Sequence, residues 1–325
     1  MRIRGHNRKC RASYIRTHGH ASVDHATRLE TGNWRLETRR SKPSFGRLVR
    51  TPFLRCLSVV MAGLLTGCGE IFSSASAPLF VAPLSIGGVP IGDAIIDTGG
   101  GYELMLRESF GLRIVDRVEV LAFGGREVVD VTEAFRFEAG GVESTADAAI
   151  VGLSVCECNG LGFMFFRKAN VVLGLDFAEG NARFLSEVPK GGTRVPFEAP
   201  PGHLGQFDSA FVLVDVSGGG VTHRVLGLLD TGTNGTVMRR GIIEAVADLT
   251  PNRVRVEIHH QGFGTASVNV GLFDTPGLPD IILGTDVMRE WADEWYFAFA
   301  AVGGTVIAFP DGVESVAPVF SVAAR

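Results

Sequence analysis

The chain has 325 residues, of which 46% are hydrophobic and 20% charged, a composition typical of a folded protein rather than a disordered one. Its net charge of −4 hides an asymmetry, because residues 1–56 carry 14 basic and 3 acidic side chains while residues 57–325 carry 17 and 32. An acidic body repels phosphate, which argues against nucleic acid as a partner. Abundant Gly (42) and Phe (22), with few long helical patterns, predict an all-β fold with a few short helices.

The first predicted element is an export signal. Arg50 and Arg55 flank a short apolar run that ends at Cys68 and is too short to span a bilayer. Residues 65–68, Leu-Thr-Gly-Cys, resemble the lipobox of bacterial lipoproteins. That resemblance implies lipidation of Cys68 and, because Gly69 rather than Asp follows, anchoring in the outer membrane facing the periplasm. The alternative is an ordinary signal peptide with a chance cysteine.

Composition also predicts where the chain divides. A Pro- and Gly-rich stretch separates two body segments of ordinary lobe size, and a Ser- and Ala-rich stretch follows the signal. Two explanations of the basic leader stay open. Either the start site is assigned too far upstream, or the segment is a genuine leader. The predicted segments are a leader (1–47), a lipoprotein signal region (48–68), a tether (69–78), an N-terminal lobe (79–188), a linker (189–205) and a C-terminal lobe (206–325).

The most informative pattern is a repeated triplet, Asp97-Thr98-Gly99 and Asp230-Thr231-Gly232, each at the end of an apolar run. Before each triplet, an apolar strand pattern, a run of glycines and a second strand pattern predict a β-hairpin that presents the Asp at its end. Two such units in one chain indicate two related lobes, each contributing one carboxylate.

The repeat continues after the triplets. A second hairpin is predicted in each half, over residues 118–129 and 254–268, with glycines at its turn. An apolar run ending in Leu-Gly follows, as Leu173-Gly174 in the first half and Leu283-Gly284 in the second. We expect these Leu-Gly motifs to pack beneath the loops that carry the carboxylates.

Two triplets and two later Leu-Gly motifs in matching order resemble the aspartic peptidases, over residues 80–310. In pepsin-like enzymes one chain supplies both lobes, and in retropepsins two identical chains do. The resemblance implies a bilobal acid-protease fold of two related, β-barrel-like lobes, with Asp97 and Asp230 as catalytic residues in the cleft between them. It also implies that Thr98 and Thr231 lock the two loops together by hydrogen bonds across a pseudo-dyad.

The expected chemistry needs two carboxyl groups held close together, which cannot both ionise easily and therefore share a proton; aspartic proteases are the standard example of this effect. Gly99 and Gly232 permit the close approach of the loops. Thr233 carries a hydroxyl that could hydrogen-bond Asp230, whereas Gly100 offers none to Asp97. The sequence therefore predicts a protonated Asp97 and an ionised Asp230 that acts as the base.

Other candidates are fewer. Phe123 and Phe263, near the tips of the second hairpins, are flap candidates, and ordinary strand aromatics are the alternative. Cys156 and Cys158 form no complete zinc motif, so we expect two loop cysteines, oxidised together in an exporting compartment. Neither a zinc-peptidase motif nor a phosphate-binding loop is present, and neither metal nor cofactor is expected.

Two functions remain open at the level of sequence. The first is an aspartic endopeptidase that hydrolyses peptide bonds with an Asp97/Asp230 dyad and an activated water. The second is a non-catalytic, membrane-anchored binding module that retains the bilobal fold. For the enzyme, the expected partners are a protein or peptide substrate and the membrane through the lipid anchor, and the chain is expected to be a monomer.

Overall fold

The computed structural model describes residues 79–122, 125–154, 157–198, 209–246, 254–300 and 303–309. The predicted leader, signal region and tether, with the lipidation candidate Cys68, lie outside this part of the chain. No helix within the described ranges is long and apolar enough to cross a bilayer.

The first half builds one large sheet and a short helix. Its elements are β1 (Val81–Ile86), β2 (Val89–Asp97), β3 (Leu104–Leu106), β4 (Ile114–Ala122), β5 (Gly125–Thr132), β6 (Phe135–Ala139), β7 (Val142–Ala146), β8 (Ile150–Val151), β9 (Asn159–Gly162) and α1 (Phe163–Ala169). The nine strands are ordered β4-β5-β8-β3-β9-β2-β1-β6-β7, with β2 near the centre. Strand β9 runs parallel to β2 and pairs with it up to Asp97.

The second half builds a closed barrel. After β10 (Val172–Asp176), β11 (Asn181–Leu185) and β12 (Thr193–Pro196), the chain forms β13 (Phe211–Gly218), β14 (Val221–Leu229), β15 (Val237–Arg239), α2 (Arg240–Val246), β16 (Val254–His260), β17 (Gly264–Phe273), β18 (Ile281–Leu283) and α3 (Thr285–Trp291). The barrel order is β13-β14-β18-β15-β17-β16. Strand β18 runs parallel to β14, as β9 does to β2 in the first half.

A third sheet joins the halves. It contains β10 and β11 from the first half, β12, and the final strands β19 (Glu294–Phe299) and β20 (Gly304–Phe309), in the order β11-β10-β19-β20-β12. Strand β12 lies inside the stretch predicted as a linker, and its pairing with β20 gives that stretch a structural role. The predicted all-β architecture of two related halves with a few short helices is confirmed.

Double-glycine turns form the hairpins that lead to the triplets. Gly87 and Gly88 connect β1 to β2, and Gly219 and Gly220 connect β13 to β14. All four have positive φ, between +57° and +83°. Two-residue turns with positive φ at both positions match the twist of a hairpin, and glycine adopts them without steric cost. The sequence therefore predicted these hairpins correctly.

The abundant phenylalanines form a core that connects the sheets. The rings of Phe163 and Phe166 on α1 stack on Phe299 of β19, and Phe166 also meets Phe184 of β11 edge to face. Phe166 is fully buried, and burial of one such side chain contributes roughly 1.5–3 kcal/mol. This packing attaches α1, directly after β9, to the sheet shared by the two halves.

Candidate active site

The two triplets meet where the halves join. Asp97 is the last residue of β2, and Asp230 directly follows β14. Each is held by the parallel strand beside it: Asp97 is opposite Gly162 in the β2–β9 pairing, and the Asp230 N–H donates to the Leu283 carbonyl at 2.9 Å. Both carboxylates are thus presented by the ends of central, paired strands, which are rigid supports.

Four hydrogen bonds made by the two threonines lock the loops together. The Thr98 N–H donates to Thr231 Oγ1 and the Thr231 N–H donates to Thr98 Oγ1, each at 3.1 Å. The Thr98 hydroxyl donates to the Leu229 carbonyl at 2.8 Å, and the Thr231 hydroxyl to the Ile96 carbonyl at 2.7 Å. The arrangement is symmetric and fully buried, so the position of each loop depends on the other.

The triplet glycines allow each loop to approach the carboxylate of the other. A Cβ on Gly99 would lie 2.5 Å from Asp230 Cγ, and a Cβ on Gly232 would lie 2.8 Å from Asp97 Cγ. Carbon atoms in van der Waals contact are about 3.5–4 Å apart, so no larger residue fits at either position without displacing a carboxylate. Both glycines are required by the geometry of the dyad.

The carboxyl groups are buried and close enough to hydrogen-bond each other, with Asp97 3% exposed and Asp230 fully buried. Asp230 Oδ1 accepts the Gly232 N–H at 2.8 Å, and Asp97 Oδ2 accepts the Tyr102 hydroxyl at 2.8 Å. Asp97 Oδ1 and Asp230 Oδ2 accept no hydrogen bond from a donor within the described ranges. Two carboxyl groups in contact require a proton between them, since two carboxylate oxygens cannot donate.

The two carboxyl groups differ in their tendency to ionise. Burial raises the pKa of Asp97, and the hydrogen bond from Tyr102 is the largest opposing effect. Burial raises the pKa of Asp230 further, well above its ordinary value, and the negative charge of Asp97 adds to that increase. The hydrogen bond from the Tyr102 hydroxyl, which has no side-chain counterpart at Asp230, favours Asp97 as the ionised member of the pair and Asp230 as the protonated one.

This order reverses the assignment predicted from the sequence. The prediction depended on a hydrogen bond from Thr233 to Asp230, but the Thr233 hydroxyl donates to the Gly235 carbonyl at 3.0 Å. The donor to a carboxylate is instead Tyr102, five residues after Asp97, which the sequence analysis did not single out. Its only signal was a single tyrosine shortly after the first triplet, and Gly100 was interpreted as a loss of support rather than as space for that ring.

The Leu-Gly pairing predicted from the sequence is wrong in the first half. Leu283 and Gly284 do end β18 beneath the Asp230 loop, but Leu173 and Gly174 lie in β10, in the third sheet. The structural counterpart is Leu161-Gly162 at the end of β9. The Phe163 N–H donates to the Gly100 carbonyl as the Thr285 N–H donates to the Thr233 carbonyl. The rest of β9, Asn159-Gly160, lacks the β-branched residues that identified the other motif.

Of the two flap candidates, Phe123 lies outside the described residues. Phe263 is a core side chain: it is 6% exposed, stacks on His260 and packs against Trp291 and Trp295. It lies in the turn between β16 and β17, but it is not an exposed hairpin tip, because aromatic side chains of α3 and β19 cover it.

The β4–β5 hairpin is the remaining candidate for a covering element. Val120 and Ala122 of β4 share a buried cluster with Tyr102 beside the dyad. Leu121 reaches the second half, since a Cβ on Gly277 would lie 3.0 Å from Leu121 Cδ2. The hairpin thus extends from the dyad side of the first half to a loop of the second.

No group of three or more His, Cys, Asp or Glu residues in the described ranges could bind a metal ion. Cys158 is disulfide-bonded, and Cys156 lies outside the described residues.

Comparisons with known proteins add two distant structural likenesses. No protein-family model and no curated protein matches this chain. The chain is similar to an aspartic proteinase from Irpex lacteus, with a TM-score of 0.40 and 13% identity, over 70% of this chain and 93% of that one. It is also similar to basic 7S globulin from soybean, with a TM-score of 0.41 and 11% identity, over 72% of this chain and 93% of that one. At these values neither structure assigns a function, which must be inferred from the residues of this chain.

Proposed function

We propose that this chain is an aspartic endopeptidase that hydrolyses peptide bonds with Asp97 and Asp230. The observation that carries the proposal is the buried pair of touching carboxyl groups, one oxygen of each accepting no bond from the described protein donors. Burying two like charges is costly, and a protein that only binds a partner gains nothing from keeping them together. The cross-locked loops around them hold the pair in a fixed geometry, as acid–base catalysis requires.

The mechanism follows from the protonation states. Ionised Asp97 accepts a proton from a water molecule while protonated Asp230 donates a hydrogen bond to the scissile carbonyl oxygen. The water oxygen forms a bond to the carbonyl carbon, and the carbonyl oxygen takes the Asp230 proton. As the C–N bond breaks, the amine nitrogen receives the proton held by Asp97. The gem-diol returns one hydroxyl proton to Asp230, and the dyad regains its starting state.

The β4–β5 hairpin favours an extended polypeptide as the substrate class. Its contact from Leu121 to Gly277 spans the two halves, and a covering hairpin over a dyad excludes water from the reacting groups. Unpaired edges of such hairpins bind extended chains by adding a strand. A protein or peptide segment is the substrate class that fits this arrangement.

A peptide-library assay between about pH 3 and 7 tests the proposal, with the range set by carboxylate titration. We expect cleavage by the wild type and a loss of roughly 10³-fold or more in Asp97→Asn and Asp230→Asn. Control variants Asp215→Asn and Asp274→Asn remove surface carboxylates that pair with arginines, and we expect them to cleave normally. Equal cleavage by all variants rejects the dyad, and binding of peptides without cleavage supports the binding-module alternative.

We also propose that the mature chain is anchored by a lipid at Cys68 to the outer membrane of a bacterial envelope and acts there as a monomer. The support is the Leu-Thr-Gly-Cys sequence after a basic flank and a short apolar run. Metabolic labelling with a radioactive fatty acid should mark the wild type and not Cys68→Ser. Labelling of both proteins would reject Cys68 as the lipid anchor. Recovery of the labelled protein in the inner-membrane fraction would reject the proposed location.

A further inference from the structure

Two glycines leave space for the Tyr102 side chain, and a third leaves space for its backbone carbonyl. A Cβ on Gly100 would lie 2.3 Å from Tyr102 Cε1, and one on Gly160 would lie 2.3 Å from Tyr102 Oη. A Cβ on Gly162 would lie 2.1 Å from the Tyr102 carbonyl oxygen. No side chain larger than hydrogen fits at these positions while Tyr102 keeps its place. Gly100, directly after the first triplet, therefore leaves space for a specific ring.

The ring is held on its other sides by apolar packing. Tyr102 is 4% exposed and lies in a buried cluster with Met105, Val120 and Ile150. With its position fixed, its hydroxyl donates to Asp97 Oδ2 at 2.8 Å. A hydrogen bond from a buried, pre-oriented donor to a carboxylate stabilises the charged form of that carboxylate.

The second loop has no such donor. The residue five positions after Asp230 is Gly235, whose carbonyl accepts the Thr233 hydroxyl. Asp230 receives the backbone N–H of Gly232 instead. The two loops share a backbone interlock, and the tyrosine is what makes their carboxylates unequal.

We propose that Tyr102 is a positioning residue that keeps Asp97 as the ionised, water-activating member of the dyad, and that Gly100 and Gly160 provide the space that its side chain needs. The proposal rests on the proposed peptidase function. The donor to Asp97 therefore comes from a ring that packs in a buried cluster of the first half. The titratable groups acting on Asp97 are Tyr102 and Asp230, and those acting on Tyr102 are Asp97 and Asp230.

The first test is the pH profile of kcat/KM in Tyr102→Phe, which keeps the ring and removes one oxygen. We expect the acid limb to move to higher pH by about one unit, because Asp97 protonates more easily without the hydrogen bond. At pH values below the limb, this shift lowers kcat/KM about tenfold. Tyr296→Phe is the matched control: Tyr296 is 2% exposed and its hydroxyl donates to Glu294 at 2.8 Å, in the third sheet. An equal loss at all pH values with an unmoved limb would assign Tyr102 a packing role only and overturn the proposal.

A second variant keeps the hydroxyl but displaces it. Gly160→Ala brings a Cβ against the Tyr102 hydroxyl without touching Asp97, and should move the acid limb in the same direction. Gly241→Ala, at a position where a Cβ meets nothing within 4 Å, is its control. An unmoved limb in folded Gly160→Ala, together with normal activity, would contradict the role assigned to the glycine.

An activity-independent measurement separates this inference from the peptidase proposal. The free energy of unfolding is measured from pH 4 to 8 for the wild type and Tyr102→Phe, alone and with Asp97→Asn. We expect the tyrosine substitution to extend the loss of stability to higher pH, and to leave the pH dependence unchanged when Asp97 is absent. If this result is obtained but the wild type cleaves no peptide, the peptidase function is rejected and the coupling of Tyr102 to Asp97 stands. Cleavage by the wild type with no Asp97-dependent change rejects the coupling alone.

Discussion

The loops around Asp97 and Asp230 have the same backbone interlock but different surroundings for the carboxylates. In each loop a threonine and a glycine of the triplet contact the other half, and the carbonyl three residues after the Asp accepts an N–H at the start of a helix. In the first loop a tyrosine then fills a cavity lined by glycines, and in the second a threonine closes a local turn. The comparison shows that the symmetric parts hold the dyad together, while the asymmetric parts decide which carboxyl group is charged.

Substituting the triplet glycines should have the largest effect on this pair. A methyl group in Gly99→Ala or Gly232→Ala must displace the facing carboxylate, and a displacement of about 1 Å at a reacting group costs about 10²-fold in rate. We expect at least that loss of kcat/KM in both variants, and normal kcat/KM in Gly241→Ala. Unequal losses would mean that one loop yields more easily than the other.

Removing either interlocking threonine should destabilise the fold almost equally. Thr98→Ala and Thr231→Ala each leave a buried N–H and a buried carbonyl without their partner, which costs about 2 kcal/mol or more in the free energy of unfolding. Chemical denaturation measures this cost, and Thr222→Ala, at an exposed hydroxyl pair, should stay within about 0.5 kcal/mol of the wild type. A cost confined to one threonine would show that the interlock is not symmetric.

The raised pKa values of the dyad predict a stability that falls as pH rises. The folded state holds a proton on Asp230 that the unfolded state releases above the ordinary aspartate value of 3.8, so stability is highest below that pH and declines through the folded pKa. Asp230→Asn resembles the protonated form and should remove most of this decline. The decline amounts to about 1.4 kcal/mol in the free energy of unfolding for each unit by which the pKa differs between the folded and unfolded states.

The measurement is the difference in unfolding free energy between Asp230→Asn and the wild type at pH 4 and at pH 7.5. We expect the variant to be the more stable at pH 7.5 and the two to converge at pH 4. A constant difference would mean that Asp230 is not protonated in the folded protein.

The smallest expected effect is that of Thr233→Ala. Its hydroxyl donates to Gly235 rather than to Asp230, so its loss should cost about 1 kcal/mol of stability and leave the acid limb of the pH–rate profile in place. A shifted limb, compared with that of Tyr102→Phe, would restore the assignment that the sequence first suggested.

Local signals explain why much of the fold was predictable. Double glycines between two apolar runs define the hairpins before both triplets, because positive φ at both turn positions is a property of the residues themselves. The Leu-Gly error has the opposite cause. Leu161-Gly162 lies in a strand whose glycines leave space for the neighbouring loop that contains Gly100 and Tyr102. The strand therefore lacks the β-branched residues by which a strand is recognised from sequence.

By itself the sequence determined the two hairpins, the all-β class and the pair of carboxylates, since each depends on residues that are close together along the chain. The tertiary structure alone decided which carboxylate receives a side-chain donor and is thereby favoured in its charged form. Burial and the direction of one hydroxyl set that difference, and both depend on contacts between Tyr102, Asp97 and strands far apart in sequence. The same contacts show that Gly100, directly after the first triplet, leaves the space that the tyrosine ring occupies.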